Sequence, residues 1–352
     1  MKLYKYTEDI DIDTSYISEN VNEILYFDIE TTGLNPERSD LYMIGYSFYS
    51  DKCFTTYLLF NDNGTSEPEM LTHFSEVVRQ FKYLVSYNGD TFDIPYIKTK
   101  LSQFDISSSI DHIQSVDIYK TVRKYKKILM LSSAKQIDAE NLTGLKRKTF
   151  TSGGDLIKSY KSYLKTKQES LLDDLLTHNH DDLRGLVSIT EFVNLQHVTE
   201  SVKLINIEKN DTEMCYICEC CNLPCRILYS DSHVHINAYD RTLRLTIKIK
   251  HASMKYFFKD YKNYYYLPLE NTAIHKSMAV YVDSEHKVKA TRETAYVMKT
   301  ADFIPSSPSV KTELFYENSS SDQPYMQITD QLTNISPYAQ EYMHDMLYTV
   351  FH

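Results

Sequence analysis

The chain has no tryptophan, only 8 Gly and 9 Pro among 352 residues, and no apolar run near the ~18–20 residues that a membrane span requires. Scarce Gly and Pro, beside 30 Tyr, argue against low-complexity linkers, and no repeat of solenoid period is present. Positive charge is in deficit. With 38 Lys+Arg against 48 Asp+Glu the formal charge is -10, so the chain as a whole is no basic nucleic-acid binder, although a local basic face can still exist. Residues 1–16 lack the pattern of a signal or transit peptide, carrying Asp9, Asp11 and Asp13 instead. A cytoplasmic protein with no membrane partner is the expectation. Cysteine is scarce too: there are six, five of them between Cys215 and Cys225. Without a secretory signal they do not read as a disulfide framework.

What is present is enough to fold. Hydrophobic residues make up 42% of the chain, and its length suits about two domains of ~100–200 residues each. The first part alternates strands and helices. Residues 23–30 read as a short apolar strand ending at Thr31-Thr32-Gly33, and 41–49 with 53–60 as a hairpin around Ser50-Asp51. A helix at about 68–81, a strand at 83–87, a helix at about 94–103 and a strand within 113–119 follow, then helical patterns to about 197. This order implies an α/β domain with a mixed five-stranded sheet over residues 1–200. Beyond it, Leu243, Leu245, Ile247 and Ile249 alternate with Arg244, Thr246, Lys248 and Lys250, a strict period of two. Ser336-Pro337 is a helix start leading into 337–350. Residues 201–352 therefore read as a C-terminal β-rich or α+β module, an accessory of unassigned function.

The chemistry-bearing residues begin with Asp28-Ile29-Glu30. Alternation along a strand puts both carboxylates on one face while Ile29 packs inward. A divalent cation between them would relieve their repulsion, with Mg²⁺ or Mn²⁺ favoured by hard oxygen ligands; a strand end reaching solvent would relieve it equally well. In Tyr87-Asn88-Gly89-Asp90-Thr91-Phe92-Asp93, Phe92 plugs the core and sets Asp93 at a helix start beside those acids. His178 and Asp182, four apart in His178-Asn179-His180-Asp181-Asp182, share one face of a helix running over about 171–195.

Together these segments resemble the DEDD-type 3′–5′ exonucleases, which share the ribonuclease H-like fold. Tyr26-Phe27-Asp28-Ile29-Glu30-Thr31-Thr32-Gly33 resembles their first motif, residues 88–93 the second, and residues 176–183 the third, in the form found in the predicted bacterial ribonuclease H-like exonucleases. The resemblance covers about residues 20–195. It implies that Asp28, Glu30, Asp93 and Asp182 are the metal-binding acids, ahead of their neighbours Asp90 and Asp181. It implies two ions of Mg²⁺ or Mn²⁺ and hydrolysis of a phosphodiester. His178 falls where related sequences usually carry Tyr, and the subgroup that uses His spaces it five before the Asp instead of four; the position makes it the candidate to orient or deprotonate water. Thr31 and Asn88 would lie near the scissile nucleotide.

Between Lys120 and Lys167 there are 13 Lys+Arg and 3 Asp+Glu, a local charge of +10, sharpest at Lys146-Arg147-Lys148. This run suits phosphate contacts, and it suits solvated helix faces as well. The cysteines of 215–225 offer either thiolates for Zn²⁺ or small core residues on a strand. The run 255–266 interleaves Lys with aromatics, a composition fit for stacking single-stranded bases or for one buried strand face. The resulting expectation is a metal-dependent hydrolase acting on single-stranded DNA or RNA ends as a 3′–5′ exonuclease. The alternatives are an endonuclease using the same acids, or a non-catalytic nucleic-acid-binding adaptor that keeps the fold.

Overall fold

The computed structural model describes residues 1–108, 110–148 and 153–352. It divides them into two units: Met1–His197 with Asn222–Cys225, and Val198–Cys221 with Arg226–His352. In the first unit, strands β1 (Lys2–Glu8), β2 (Ile24–Thr31), β3 (Leu41–Ser50), β4 (Cys53–Phe60), β5 (Tyr83–Ser86) and β6 (Gln114–Asp117) form one mixed sheet, in the spatial order β1-β4-β3-β2-β5-β6. β2 sits inside it, antiparallel to β3 and parallel to β5. The Ile-Leu-Tyr-Phe run that opens β2 suits that place, since a strand covered on both faces can be apolar throughout. The hairpin between β3 and β4 turns on Asp51 and Lys52, both at positive φ, which matches the twist of the flanking strands.

The sheet has six strands where the sequence implies five. The extra one, β1, pairs along its whole length with β4 from Lys2↔Phe60 to Glu8↔Phe54, yet none of its residues is fully buried. As an edge strand it lacks the apolar face by which strands are read from sequence.

The two faces of β2 do different things. Leu25, Phe27 and Ile29 enter a core with Met70, Leu71 and Phe74 of α1 (Glu67–Val78) and Tyr96, Ile97 and Leu101 of α2 (Asp93–Gln103). Tyr26, Asp28 and Glu30 point the other way, where Tyr26 meets Thr190 and Asp28 meets Asn179. Helices α3 (Ile118–Tyr125), α4 (Gln136–Thr143), α5 (Gly153–Thr166) and α6 (Glu169–Ser188) complete the unit, and α6 packs on β2, β3 and β4. The expected helix over 171–195 stops at Ser188 and continues as a 3₁₀ segment, Thr190–His197. There the Thr190 hydroxyl bonds back to the Leu186 carbonyl, a competitor of the helical ladder.

In the second unit, β7 (Lys203–Lys209), β8 (Glu213–Glu219), β9 (Ile227–Ser230), β10 (Val234–Tyr239) and β11 (Thr242–Lys248) form a sheet in the order β7-β8-β11-β10-β9. Leu243, Leu245 and Ile247 face inward and Arg244 and Lys248 outward, as the period of two implies; the strand ends before Ile249. β12 (Lys250–Phe257), β13 (Tyr264–Leu267), β14 (Thr272–His275), β15 (Val288–Lys289), β16 (Tyr296–Pro305) and β17 (Tyr325–Gln327) make two three-stranded sheets, β12-β16-β17 and β14-β13-β15. One-turn helices α7 (Val198–Ser201), α8 (Lys276–Ala279) and α9 (Asp330–Thr333) precede the terminal α10 (Pro337–Phe351). Its cap is the expected one: Ser336 Oγ accepts from Ala339 N at 3.0 Å, with Pro337 in the first position.

The close approach of α6 to the sheet depends on Gly45, which pairs with Asp28 across β2 and β3. A Cβ at Gly45 would lie 2.0 Å from Asn179 Oδ1 and 2.6 Å from Leu183 Cδ1. Gly45→Ala should therefore destabilise the protein by about 1–3 kcal/mol. Gly154→Ala, in open space on α5, should be neutral or stabilising by up to ~1 kcal/mol. Urea unfolding of both variants checks the opposite signs.

Candidate active site

β2 delivers Asp28 and Glu30 to the face covered by α6, and α6 brings His178, Asn179 and Asp182 down onto them. Glu30, His178 and Asp182 each offer a ligand atom within 4.8 Å of the other two. His178 Nε2 lies 3.2 Å from Asp182 Oδ2 and 3.6 Å from Glu30 Oε1. All three side chains are about one-sixth exposed, at 15–17%, so the cluster is reachable yet poorly hydrated. Asp28 Oδ2 accepts from Asn179 Nδ2 at 2.7 Å, and Tyr42 Oη donates to Glu30 Oε2 at 3.1 Å. Asp93, the first residue of α2, is buried and accepts from Ile29 N at 3.2 Å, between the two acids of β2.

A second layer fixes Asp182. Arg147 Nη1 donates to Asp182 Oδ1 at 2.6 Å, while its Nε and Nη2 make a bidentate pair with Glu140, also at 2.6 Å. Glu140 is 1% exposed and Arg147 9%. Gln136 Nε2 links Glu140 Oε1 to the Asp182 carbonyl, at 2.8 and 2.7 Å. Gly185 makes room for this network, since a Cβ there would stand 1.9 Å from Glu140 Oε1. The sequence pattern Lys146-Arg147-Lys148 misleads here. Lys146 and Lys148 are exposed, but Arg147 turns inward to two carboxylates and is no part of a phosphate-tracking patch.

The neighbouring acids are occupied elsewhere. Asp181 accepts from Lys148 N at 2.7 Å. Asp90 pairs with Lys120 and Ser115, which hold its carboxyl low although burial works against them. His180 stacks on Tyr6 at 4.4 Å and faces Glu8. Asn88 sits at φ 63°, its N–H donating to Asp117 Oδ1 at 2.7 Å and its side chain accepting from Thr91. Thr31 closes β2 by donating to the Gly33 carbonyl at 2.9 Å. Asn179, Tyr42, Glu140 and Gln136 were not singled out by sequence; only Asn179 carried a signal, three residues before Asp182 on one helical face. Cys218, Cys220, Cys221 and Cys225 are buried and all six cysteines are free. Among the described residues they form no group of converging ligands, and burial pushes Cys218 and Cys220 up to about 12, so they serve as small core residues.

Burial raises Asp28, Glu30 and Asp93, and neighbouring acids raise them further. Burial, then Asp182, Asp93 and Glu30, push Asp28 well above the carboxylate range against the pull of Arg147. Glu30 rises to about 8 through burial and Asp182, moderated by the Tyr42 hydrogen bond. Asp93 rises to about 7 through burial, opposed by its backbone hydrogen bonds. Carboxylate oxygens converging in a poorly hydrated spot, with one guanidinium against four acids, fit a hard divalent cation such as Mg²⁺ or Mn²⁺. His178 Nδ1, buried with no hydrogen-bond partner among the described residues, leaves the tautomer unforced on that side.

Residues 25–194 match the family model described as RNase_H superfamily. The uncharacterized protein YprB of Bacillus subtilis (strain 168) is 27% identical over 186 residues, covering 52% of this chain and 44% of that protein. The chain thus spans less than half the length of this curated relative. Among solved structures, the family B DNA polymerase of Pyrobaculum calidifontis aligns at TM-score 0.39 and 13% identity, covering 68% of this chain and 35% of the polymerase. The zinc-bound E. coli ExoI–ssDNA complex aligns at TM-score 0.28 and 15% identity, covering 44% and 43%.

Two stability measurements check this description. Arg147→Met leaves the Glu140 carboxylate buried without its cation and should cost about 3–5 kcal/mol in urea unfolding. The pH dependence has a defined sign. The folded chain keeps Glu30 and Asp93 protonated to about 8 and 7, whereas the unfolded chain ionises them near ~4. In between the folded state binds more protons, so stability falls as pH rises through that window. The melting temperature in EDTA should drop from pH 5.5 to 8, and Mn²⁺ should restore more at pH 8 than at 5.5.

Proposed function

We propose, from the match of residues 25–194 to the RNase_H superfamily model, that the chain is a metal-dependent nuclease, a 3′–5′ exonuclease acting on single-stranded DNA or RNA. The observation that carries the reading is the convergence of Glu30, His178 and Asp182 within 4.8 Å, beside Asp28, which the charge of neighbouring Asp93 helps to raise. A module that only bound nucleic acid would gain nothing from acids that repel phosphate.

Asp28, Glu30, Asp93 and Asp182 would hold two ions of Mg²⁺ or Mn²⁺, which would supply an acidified water and charge neutralisation at the leaving 3′ oxygen. The protein's own part is position and proton traffic. Asn179 and Tyr42 set the rotamers of Asp28 and Glu30. Arg147 occupies Asp182 Oδ1, so Asp182 turns Oδ2 toward Glu30 and His178. His178 Nε2, between these carboxylates, orients the attacking water and takes its proton. Asn88 and Thr31 lie at the ends of strands that lead to the site, and exposed Lys146 and Lys148 meet the strand's phosphates. The domain division follows: residues 1–200 carry catalysis and 201–352 an accessory module.

The test uses single-stranded DNA and RNA labelled at either end, incubated with Mn²⁺, Mg²⁺ or EDTA. Wild type should give a metal-dependent ladder of shortening 5′-labelled products, and Asp28→Asn/Asp182→Asn none. His178→Ala should slow the ladder about 10²–10⁴-fold. Discrete internal cuts would make the protein an endonuclease, and metal-independent binding without cleavage would make it an adaptor.

A further inference from the structure

The second unit carries a groove of about 760 Å³ that the nuclease reading does not use. One wall is the end of β12 and the segment after it, with Phe257, Phe258, Lys259 and Tyr261; the other is the run 311–316 with Lys311 and Tyr316. The walls are tied together by backbone hydrogen bonds between Lys255 and Tyr316 in both directions, at 2.8 and 2.9 Å. The same bonds set the registry of the rings. On β12, Met254 and Tyr256 face a core with Phe303 and Phe315, so Phe257 is turned to the opposite side, where it meets Tyr296 and Tyr316 edge-on.

Three aspects of this groove point to one class of ligand. The rings are half-buried, and Phe258 is locked face to face on Tyr264 at 4.0 Å and 11°, a rigid platform with little rotamer freedom left to lose. The cations outnumber the acids: Lys259, Arg292 and Lys311 line the groove against Glu313 alone. Lys259 and Lys311 are exposed and make no ion pair among the described residues, whereas Arg292 lies over the Tyr261 ring at 5.7 Å. In a chain of formal charge -10 this is a local reversal of sign; residues 244–311 hold 12 Lys+Arg and 6 Asp+Glu. The groove also runs on into a second hollow of about 470 Å³ that shares Phe257, Arg292 and Tyr316 and adds Glu293, Asn318, Ser319 and Ser321, so that three cations stand against two acids over both hollows. The result is an elongated, open track.

From this combination we infer that the groove binds single-stranded nucleic acid, with bases stacked on the aromatic residues and phosphates met by Lys259, Arg292 and Lys311. Stacking on rings tolerates any base and needs its faces exposed, so a duplex is excluded from this mode. The two lysines would contribute salt-sensitive, sequence-tolerant attraction. The inference shares only its class of partner with the nuclease reading and does not depend on catalysis.

The experiment measures binding of labelled dT₂₀ and U₂₀ to the full chain in EDTA, in the Asp28→Asn/Asp182→Asn background, so that absence of cleavage and absence of groove binding are read separately. Lys259→Ala/Lys311→Ala, both changes at exposed positions, should weaken binding at least 10-fold. It should flatten the slope of log affinity against log salt by about 1.4, two contacts at ~0.7 each. Phe258→Leu keeps apolar volume and removes the stacking face; it should weaken binding about 5-fold or more. Strands carrying 5-iodouracil should photo-crosslink to residues 257–261 or 311–316. Unchanged affinity and slope in the lysine variant, or crosslinks confined to the first unit, would overturn the inference.

Discussion

Four carboxylates brought to one poorly hydrated place repel each other, and the rest of the first unit is arranged around that repulsion. Asp28 and Glu30 come from one strand, Asp93 from the head of a helix and Asp182 from the middle of another. Among the described residues Arg147 is the cation that meets them from within the protein, and it is itself half spoken for by Glu140. The remaining excess of negative charge is relieved by protonation, as the raised carboxyl groups indicate, or by ions from solution. Hydrogen bonds from Asn179, Tyr42 and the Ile29 N–H hold the side chains in place while the charge is unbalanced. Two glycines are part of the same arrangement, Gly45 on β3 opposite α6 and Gly185 within α6 itself. Gly45 lets Asn179 reach Asp28, and Gly185 lets the Glu140–Arg147 pair reach Asp182.

Much of this was legible from the residues. The alternation in Asp28-Ile29-Glu30, the helix start at Asp93 and the four-residue step from His178 to Asp182 each placed a side chain correctly on its element, because helix and strand periods are local properties. Asp181 and Asp90 carry the same chemistry one position or a few away, yet fold into other hydrogen bonds. What sequence could not show was long-range pairing. Nothing in Lys146-Arg147-Lys148 distinguishes a central arginine that turns inward from two flanking lysines that stay in water. Edge strand β1 was missed for a related reason, since its partner and not its own pattern makes it a strand.

The cysteines and the aromatic run illustrate the same limit from the other side. Cys215 and Cys218 lie on opposite faces of β8, which disperses a cluster that looked dense along the chain. Phe257 and Tyr316, far apart in sequence, end up edge to face because β12 bridges to the segment at 316. Density in sequence and density in space are separate quantities, and strand pairing decides between them.

The central claim is that the acid cluster ionises fully only when a divalent cation enters it. Calorimetric titration of Mn²⁺ at pH 6.5, in two buffers of different ionisation enthalpy, measures this directly. The account predicts saturable binding with net proton release to the buffer, both abolished in Asp28→Asn/Asp182→Asn, and release that fades at pH 9. Binding without proton release, or binding untouched by the double substitution, would contradict it.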